Sequence, residues 1–265
     1  MLKCVIVIPV YKENPSKFEI ASFRQCLSIL GSHEIVIITH NNLSLYKYNI
    51  EAKLLGVKFK VEFFKESYFK SINGYNRLCL HKDFYIRFNM YKYMLIYQLD
   101  AWVFNDELNY WCDKDYDYIG APWFEKNEED YTTIFNGVGN GGFSLRKISY
   151  CLKVLNHSRY KPFITFENLN KNCSKSLIVL LKSLGIRNNI SYYINNCVNE
   201  DVIFSQLSLL SKLKPYIPDE FTAAKFSFEI NPSYLYKQNN NKLPFGCHAY
   251  EKYEYEEFWE KHIRH

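Results

Sequence analysis

Tyr93-Met94-Leu95-Ile96-Tyr97-Gln98-Leu99-Asp100 is apolar through its first five residues and ends in an acid. A short apolar run without alternation reads as a strand covered on both faces, the kind found in parallel sheets. The acid matters as much as the run. In open α/β sheets the ligand crevice lies just beyond the carboxyl ends of the strands, so Asp100 is placed where a site is expected.

The same reading extends upstream. Cys4-Val5-Ile6-Val7-Ile8 is a β-branched run closed by Pro9-Val10-Tyr11, and Glu34-Ile35-Val36-Ile37-Ile38 is a second such run. Between them, Phe18, Phe23, Leu27 and Leu30 recur at helical spacing over residues 16–30 until Gly31 stops the helix. Strand, helix and strand make a βαβ unit, which sends Pro9 to Lys12, His40 and Asp100 to one edge. Val61-Glu62-Phe63-Phe64 adds a third short strand, and helical stretches are expected over 71–81 and 83–91. The expected fold class is therefore α/β, with a mixed, mostly parallel central sheet flanked by helices in a Rossmann-like single domain over residues 1–250.

Downstream, Asp117-Tyr118-Ile119-Gly120-Ala121-Pro122-Trp123 reads as a strand and turn. Gly137 to Arg146 is a glycine-rich loop running into a strand or helix. Residues 170–198 are rich in Asn and Lys around an apolar helix at 176–184, a lid or insertion. Asn199-Glu200-Asp201 is expected to cap a helix through about 212. Glu220 to Glu229 continues the core, Pro244-Phe245-Gly246-Cys247-His248 forms a late loop, and 251–265 is a surface helix.

Composition narrows the function. The 265 residues carry 33 basic and 28 acidic side chains, a net charge of +5 scattered along the chain, which argues against nucleic-acid binding. The mild surplus suits a diphosphate or peripheral contact with anionic lipid, as well as an ordinary solvated surface. Aromatic residues make up 18%, so most rings must serve packing, and their number alone identifies no carbohydrate site. The eight cysteines stand singly with no Cys-x-x-Cys pair, which implies reduced thiols and a cytoplasmic setting. No apolar run approaches the about 20 residues that span a bilayer.

Taken in order, Tyr97-Gln98-Leu99-Asp100-Ala101-Trp102, Ile119-Gly120-Ala121-Pro122-Trp123, Gly139-Asn140-Gly141-Gly142-Phe143-Ser144-Leu145-Arg146, Asn199-Glu200-Asp201-Val202 and Pro244-Phe245-Gly246-Cys247-His248 resemble a domain-of-unknown-function family of bacterial proteins assigned as glycosyltransferases. That family is itself similar to GT-A enzymes. The resemblance spans roughly residues 4 to 250 and implies transfer of a sugar from a nucleoside-diphosphate donor to a glycan or lipid-linked acceptor; the expected location is the cytoplasm, either free or peripheral at the inner face of the membrane. By the same analogy the donor is a UDP-sugar.

GT-A enzymes usually place Asp-x-Asp at a strand end, whereas this chain has Gln98-Leu99-Asp100. One carboxylate is thin for a hard cation wanting about six ligands. His248 resembles the late histidine that completes the Mn²⁺ site in several GT-A families, so Asp100 and His248 are the expected ligands of Mn²⁺ or Mg²⁺. Glu200-Asp201-Val202 resembles the Glu-Asp-Val motif of inverting enzymes, which implies Asp201 as general base with Glu200 beside it. A helix dipole at that point is expected to hold the carboxylate ionised and lower its basicity. Pro9, Val10, Tyr11, Tyr75, Asn76, Arg77 and Gln98 are the candidate donor contacts, and Trp123, Asn140, Gly141 and Gly142 the candidate sugar or acceptor contacts. The plainer alternatives are a cap acid for Asp100, a satisfied loop histidine for His248 and a tight turn for the glycines.

Two other enzyme classes fit less well. A sugar nucleotidyltransferase would open with glycines, which Pro9-Val10-Tyr11-Lys12 lacks, and a glycoside hydrolase would need a second strand-end carboxylate. A non-catalytic glycan-binding module would have no use for Asp100 with His248.

Overall fold

The computed structural model describes residues 1–128, 130–157, 186–196, 198–207 and 213–264. The first strand is β1 (Leu2–Pro9), followed by β2 (Glu34–Thr39), β3 (Lys60–Phe63), β4 (Tyr91–Tyr97), β5 (Ala101–Val103), β6 (Tyr118–Ile119), β7 (Pro122–Lys126), β8 (Tyr131–Val138), β9 (Phe143–Lys147), β10 (Ser227–Phe228) and β11 (Gly246–His248). Six strands form the central sheet in the order β3-β2-β1-β4-β9-β6. The first four run parallel, and β9 is antiparallel to both β4 and β6. The molecule is thus α/β with a mixed, mostly parallel sheet, flanked by α1 (Lys17–Leu30), α2 (Tyr46–Leu54), α3 (Ile72–Cys79), α4 (Lys82–Arg87), α5 (Leu108–Asp113) and α6 (Ile148–Leu155).

Alternation along the central strands feeds two cores. Ile6, Ile8, Tyr93, Leu95 and Tyr97 pack with Phe23, Leu27 and Leu30 of α1 and with Tyr48 of α2. Val5, Val7, Met94 and Ile96 point the other way, onto Leu78 of α3, Phe84 of α4 and Val154 of α6. Each such side chain contributes about 1.5–3 kcal/mol on burial, and with both faces covered the strands have no polar side to show in sequence. Helix α1 begins as a capping box: Ser16 Oγ accepts from Glu19 N–H (3.1 Å), and Glu19 Oε2 accepts from Ser16 N–H (2.7 Å).

Three expectations give way here. The segment at Pro244–His248 is not a plain loop, because Gly246–His248 pairs antiparallel with β5 and parallel with β10. The helix expected from Asn199 to about 212 is a single turn at Glu200–Val202 followed by a π-helical turn at Ile203–Leu207, and 208–212 lie outside the described residues. Asn199 makes no side-chain cap bond, since its Oδ1 accepts from Asn76 Nδ2 (2.9 Å). The third concerns the end of the chain. Residues 251–264 form turns and one 3₁₀ turn, Trp259–Lys261, and not a surface helix. Its Phe258, Trp259 and Ile263 are buried with Trp102, Phe228, Cys247 and Tyr250 in a third core cluster, so the segment is held by its rings. The helix expected at 176–184 lies outside the described residues. No helix among those described is long and apolar enough to cross a membrane.

Candidate active site

Register decides which side chains meet. Val7 of β1 faces Ile96 of β4, so Pro9 and the segment Gln98–Asp100 leave the sheet at one edge. Because β9 runs the opposite way, with Phe143 opposite Tyr97, the loop before it returns to that same edge, where Gln98 N–H donates to Gly142 C=O (2.8 Å). Strand β11 sets His248 opposite Ala101, beside Asp100, and β10 delivers Glu229 next to it because Phe228 pairs with Cys247. Together these ends line a cleft of about 750 Å³.

His248 is fixed from both sides. Its Nδ1 lies 3.0 Å from Glu229 Oε1, and its Nε2 lies 3.2 Å from Asp100 Oδ1 and 3.3 Å from Gln98 Oε1. With Nδ1–H donating to Glu229, the Nε2 lone pair faces two oxygen acceptors. That arrangement needs a positive charge between them, either a proton or a metal ion. In the absence of metal the proton is held tightly: burial works to lower the imidazole pKa, but the Asp100 and Glu229 carboxylates overrule it and raise it to about 10. Burial likewise pushes Asp100 up, and the charge and hydrogen bond of His248 bring it below its ordinary value. No group of three or more His, Cys, Asp or Glu side chains among the described residues is arranged to hold a metal. The polar atoms that meet here, and could hold a cation, belong to Asp100, His248 and Gln98.

The glycines serve the protein's own side chains. A Cβ on Gly142 would fall inside the His248 ring, and one on Gly141 would collide with the Glu200 carboxylate. Neither glycine has positive φ; Asn140 takes that conformation instead, at 72°. Gly141 and Gly142, expected as sugar or acceptor contacts, both line the cleft, and their missing side chains make room for Glu200 and His248. Beneath them Arg146 is fully buried. It donates to Glu200 Oε1 (2.7 Å), Gly141 C=O (3.1 Å), Ser144 Oγ (3.0 Å) and Tyr85 Oη (3.3 Å). Glu200 is therefore committed to an ion pair that fixes the loop.

Among the described residues Asp201 has no such ion-pair partner. Its carboxylate lines the cleft, and Oδ1 accepts from Val202 N–H (2.8 Å). Burial raises its pKa to about 7, the Glu200 and Glu229 charges add to the rise, and the Val202 N–H and Arg146 oppose it. The expectation of lowered basicity fails because one helical turn carries little dipole, whereas desolvation of the carboxylate is large.

The other candidates divide. Pro9, Tyr11, Tyr75 and Asn76 line the cleft. Tyr11 is 51% exposed and its hydroxyl donates to Glu19 Oε1 (3.4 Å), which also accepts from Lys12 Nζ (2.9 Å). The Tyr75 hydroxyl is buried with no hydrogen-bond partner among the described residues. Asn76 is committed to Asn199, which leads into Glu200. Val10 is wholly buried, and Arg77 is exposed on the far side of α3, so neither reaches the cleft. Asn140 is buried with Oδ1 accepting from Gly142 and Phe143 N–H, and Trp123 covers Gly139, so neither lines the cleft. His40 packs on the Phe69 ring and does not line the cleft. Glu229 and Arg146 were not assigned from sequence. Glu229 had a legible signal, an acid directly after a strand; Arg146 had none.

Residues 58–248 match the family described as "Protein of unknown function (DUF5672)". No curated protein matches the sequence significantly. Among solved structures, mouse xyloside xylosyltransferase 1 in its apo form aligns over 93% of this chain and 97% of its own at 10% identity, with a TM-score of 0.49. The apo-form glycosyltransferase GlyE of Streptococcus pneumoniae aligns over 94% of this chain at 12% identity and a TM-score of 0.45, this chain spanning 54% of that longer one. Core-mannan synthase A of Aspergillus fumigatus in its Mn/GDP form aligns over 76% of this chain and 71% of its own at 9% identity and 0.42. These likenesses are distant in both sequence and shape, and the site itself carries the chemistry.

Proposed function

The chain belongs to the DUF5672 family, and from that premise we propose that its cleft transfers a sugar from a nucleoside-diphosphate donor, in a metal-dependent, inverting reaction of the GT-A type. Residues 1–250 act as one catalytic domain in the cytoplasm, and the acceptor is a glycan or a lipid-linked sugar. One observation carries the reading: His248, pinned by Glu229, turns its second nitrogen between the oxygens of Asp100 and Gln98 inside the cleft that also holds Asp201. Mn²⁺ or Mg²⁺ would be held by Asp100 and His248 with Gln98 beside them, and would neutralise the charge that develops on the departing diphosphate.

The chain's own groups supply the rest. Pro9 and Tyr11 border the first strand's exit, where the nucleotide is proposed to lie. Asp201 takes the proton of the acceptor hydroxyl as its oxygen bonds to the anomeric carbon and the bond to the diphosphate breaks. Its pKa near 7 suits a base at neutral pH. Glu200 is a positioning residue, holding the loop through Arg146.

Calorimetry with UDP-sugars, with and without Mn²⁺, tests this. The native chain should bind tightly only with Mn²⁺, and Asp100→Asn and His248→Ala should abolish that dependence without unfolding. Metal-independent binding in all three forms would overturn the site, and tighter binding of GDP than UDP would overturn the choice of base.

A further inference from the structure

Helix α2 is apolar on the wrong side. Tyr48 and Ala52 are buried toward the core, and residues four apart share a helix face, so Tyr46, Ile50 and Leu54 form a ridge on the opposite face. They are 71%, 40% and 74% exposed, and Leu55 extends the ridge at 41%. A surface helix of a globular protein ordinarily turns polar residues outward, whereas this one turns a row of apolar side chains outward. Lys47 and Lys53 flank the ridge and Lys58 follows it, all exposed and none ion-paired among the described residues. The acid on the helix, Glu51, is already held by Arg24 (2.7 Å). Next to the ridge, between α1 and α2, a recess of about 250 Å³ is lined by Lys17, Ile20, Arg24, Lys47 and Ile50.

We propose that α2 is a membrane-docking helix: Tyr46, Ile50 and Leu54 enter the interface of an anionic bilayer, while Lys47, Lys53 and Lys58 meet its phosphate headgroups. Two arguments choose a bilayer over a protein. The apolar ridge with a basic border is the complement of a negatively charged headgroup layer above acyl chains. The ridge also presents on the order of a few hundred Å², short of the roughly 800 Å² per partner of a stable protein interface. Its location serves the cleft. Ser16 borders both the recess and the cleft, so a membrane on this face lies near the cleft mouth. The proposal stands apart from the transfer reaction, because nothing on α2 belongs to the catalytic groups.

Co-sedimentation with phosphatidylcholine vesicles, with and without phosphatidylglycerol, tests it on the full chain. The native protein should pellet with the anionic vesicles only, and less as salt rises. Ile50→Glu with Leu54→Glu should cut partitioning more than tenfold. Lys47→Glu with Lys53→Glu should lower it about fivefold per lysine, with far-UV circular dichroism and Mn²⁺-dependent nucleotide binding unchanged. Equal binding to neutral vesicles, no binding to either kind, or full binding by the Ile50/Leu54 variant would overturn the proposal. So would a dimer in light scattering that Leu54→Glu splits, since the ridge would then be covered by a second copy.

Discussion

Replacing Asp201 by Asn should make the protein more stable and less active, and by amounts that depend on pH. The carboxyl sits at about 7 in the folded chain against an ordinary 3.8, chiefly because it is buried beside Glu200. Since the folded pKa lies above the unfolded one, the folded state binds the proton more tightly. Stability from this group therefore falls as pH rises from about 4 to about 7, and the loss is complete above 7. Three units at about 1.4 kcal/mol each bound the penalty near 4 kcal/mol, the smaller part of it already present at pH 5. Asn has no charge to desolvate, so urea denaturation should show its advantage over Asp growing by on the order of 2 kcal/mol between pH 5 and pH 8. If the proposed reaction holds, the native protein should lose kcat/KM in transfer assays as pH falls through about 7, and the Asn variant should be slower by about 10²–10⁴-fold without that acid limb. A stability difference that does not change with pH would refute the burial argument. Near-normal turnover by the Asn variant, or a product of retained anomeric configuration, would refute the role of base.

Gly142→Ala should lower Mn²⁺-dependent donor affinity more than tenfold by driving the His248 ring off Asp100, while the far-UV spectrum stays native; unchanged affinity would show that His248 is not needed there. Arg146→Met should destabilise the fold by about 3–5 kcal/mol in chemical denaturation, because it leaves Glu200 buried without its partner. Adding Glu200→Gln to that variant should restore part of the loss, and a loss below about 1 kcal/mol for the single change would contradict the ion pair's role.

The parts of the molecule legible from sequence are those governed by local rules. Val5–Ile8 and Met94–Tyr97 are apolar without a break because both faces of their strands are covered. The helix over 16–30 shows in the spacing of Phe18, Phe23, Leu27 and Leu30. Asp100 stands out as an acid at a strand end, and the same rule applied to Phe228-Glu229 would have found the partner of His248. What was not legible depends on depth and on distance along the chain. Arg146 is ordinarily a surface residue, and its burial rests on Glu200, 54 positions away. Asn76 and Arg77 are neighbours, but a turn of about 100° per residue sends one into the site and the other to solvent. The basicity of Asp201 was misjudged because sequence displays a helix start and not how much water surrounds it.

The short strand β11 has a consequence for the life of the chain before it is complete. Gln98 and His248 are 150 residues apart, whereas the pairing of β1 with β2 is made within the first 40 residues. Early local contacts and late distant ones differ in loop-closure entropy and in when they can form during synthesis. The parallel sheet can therefore be assembled on the ribosome while the cleft is still missing a wall, and Phe258, Trp259 and Ile263, which complete the ring cluster behind β11, are translated later still. A nascent chain arrested before Trp259 should have the sheet's hydrogen-exchange protection and no affinity for Mn²⁺. Activity would begin only with the final docking step.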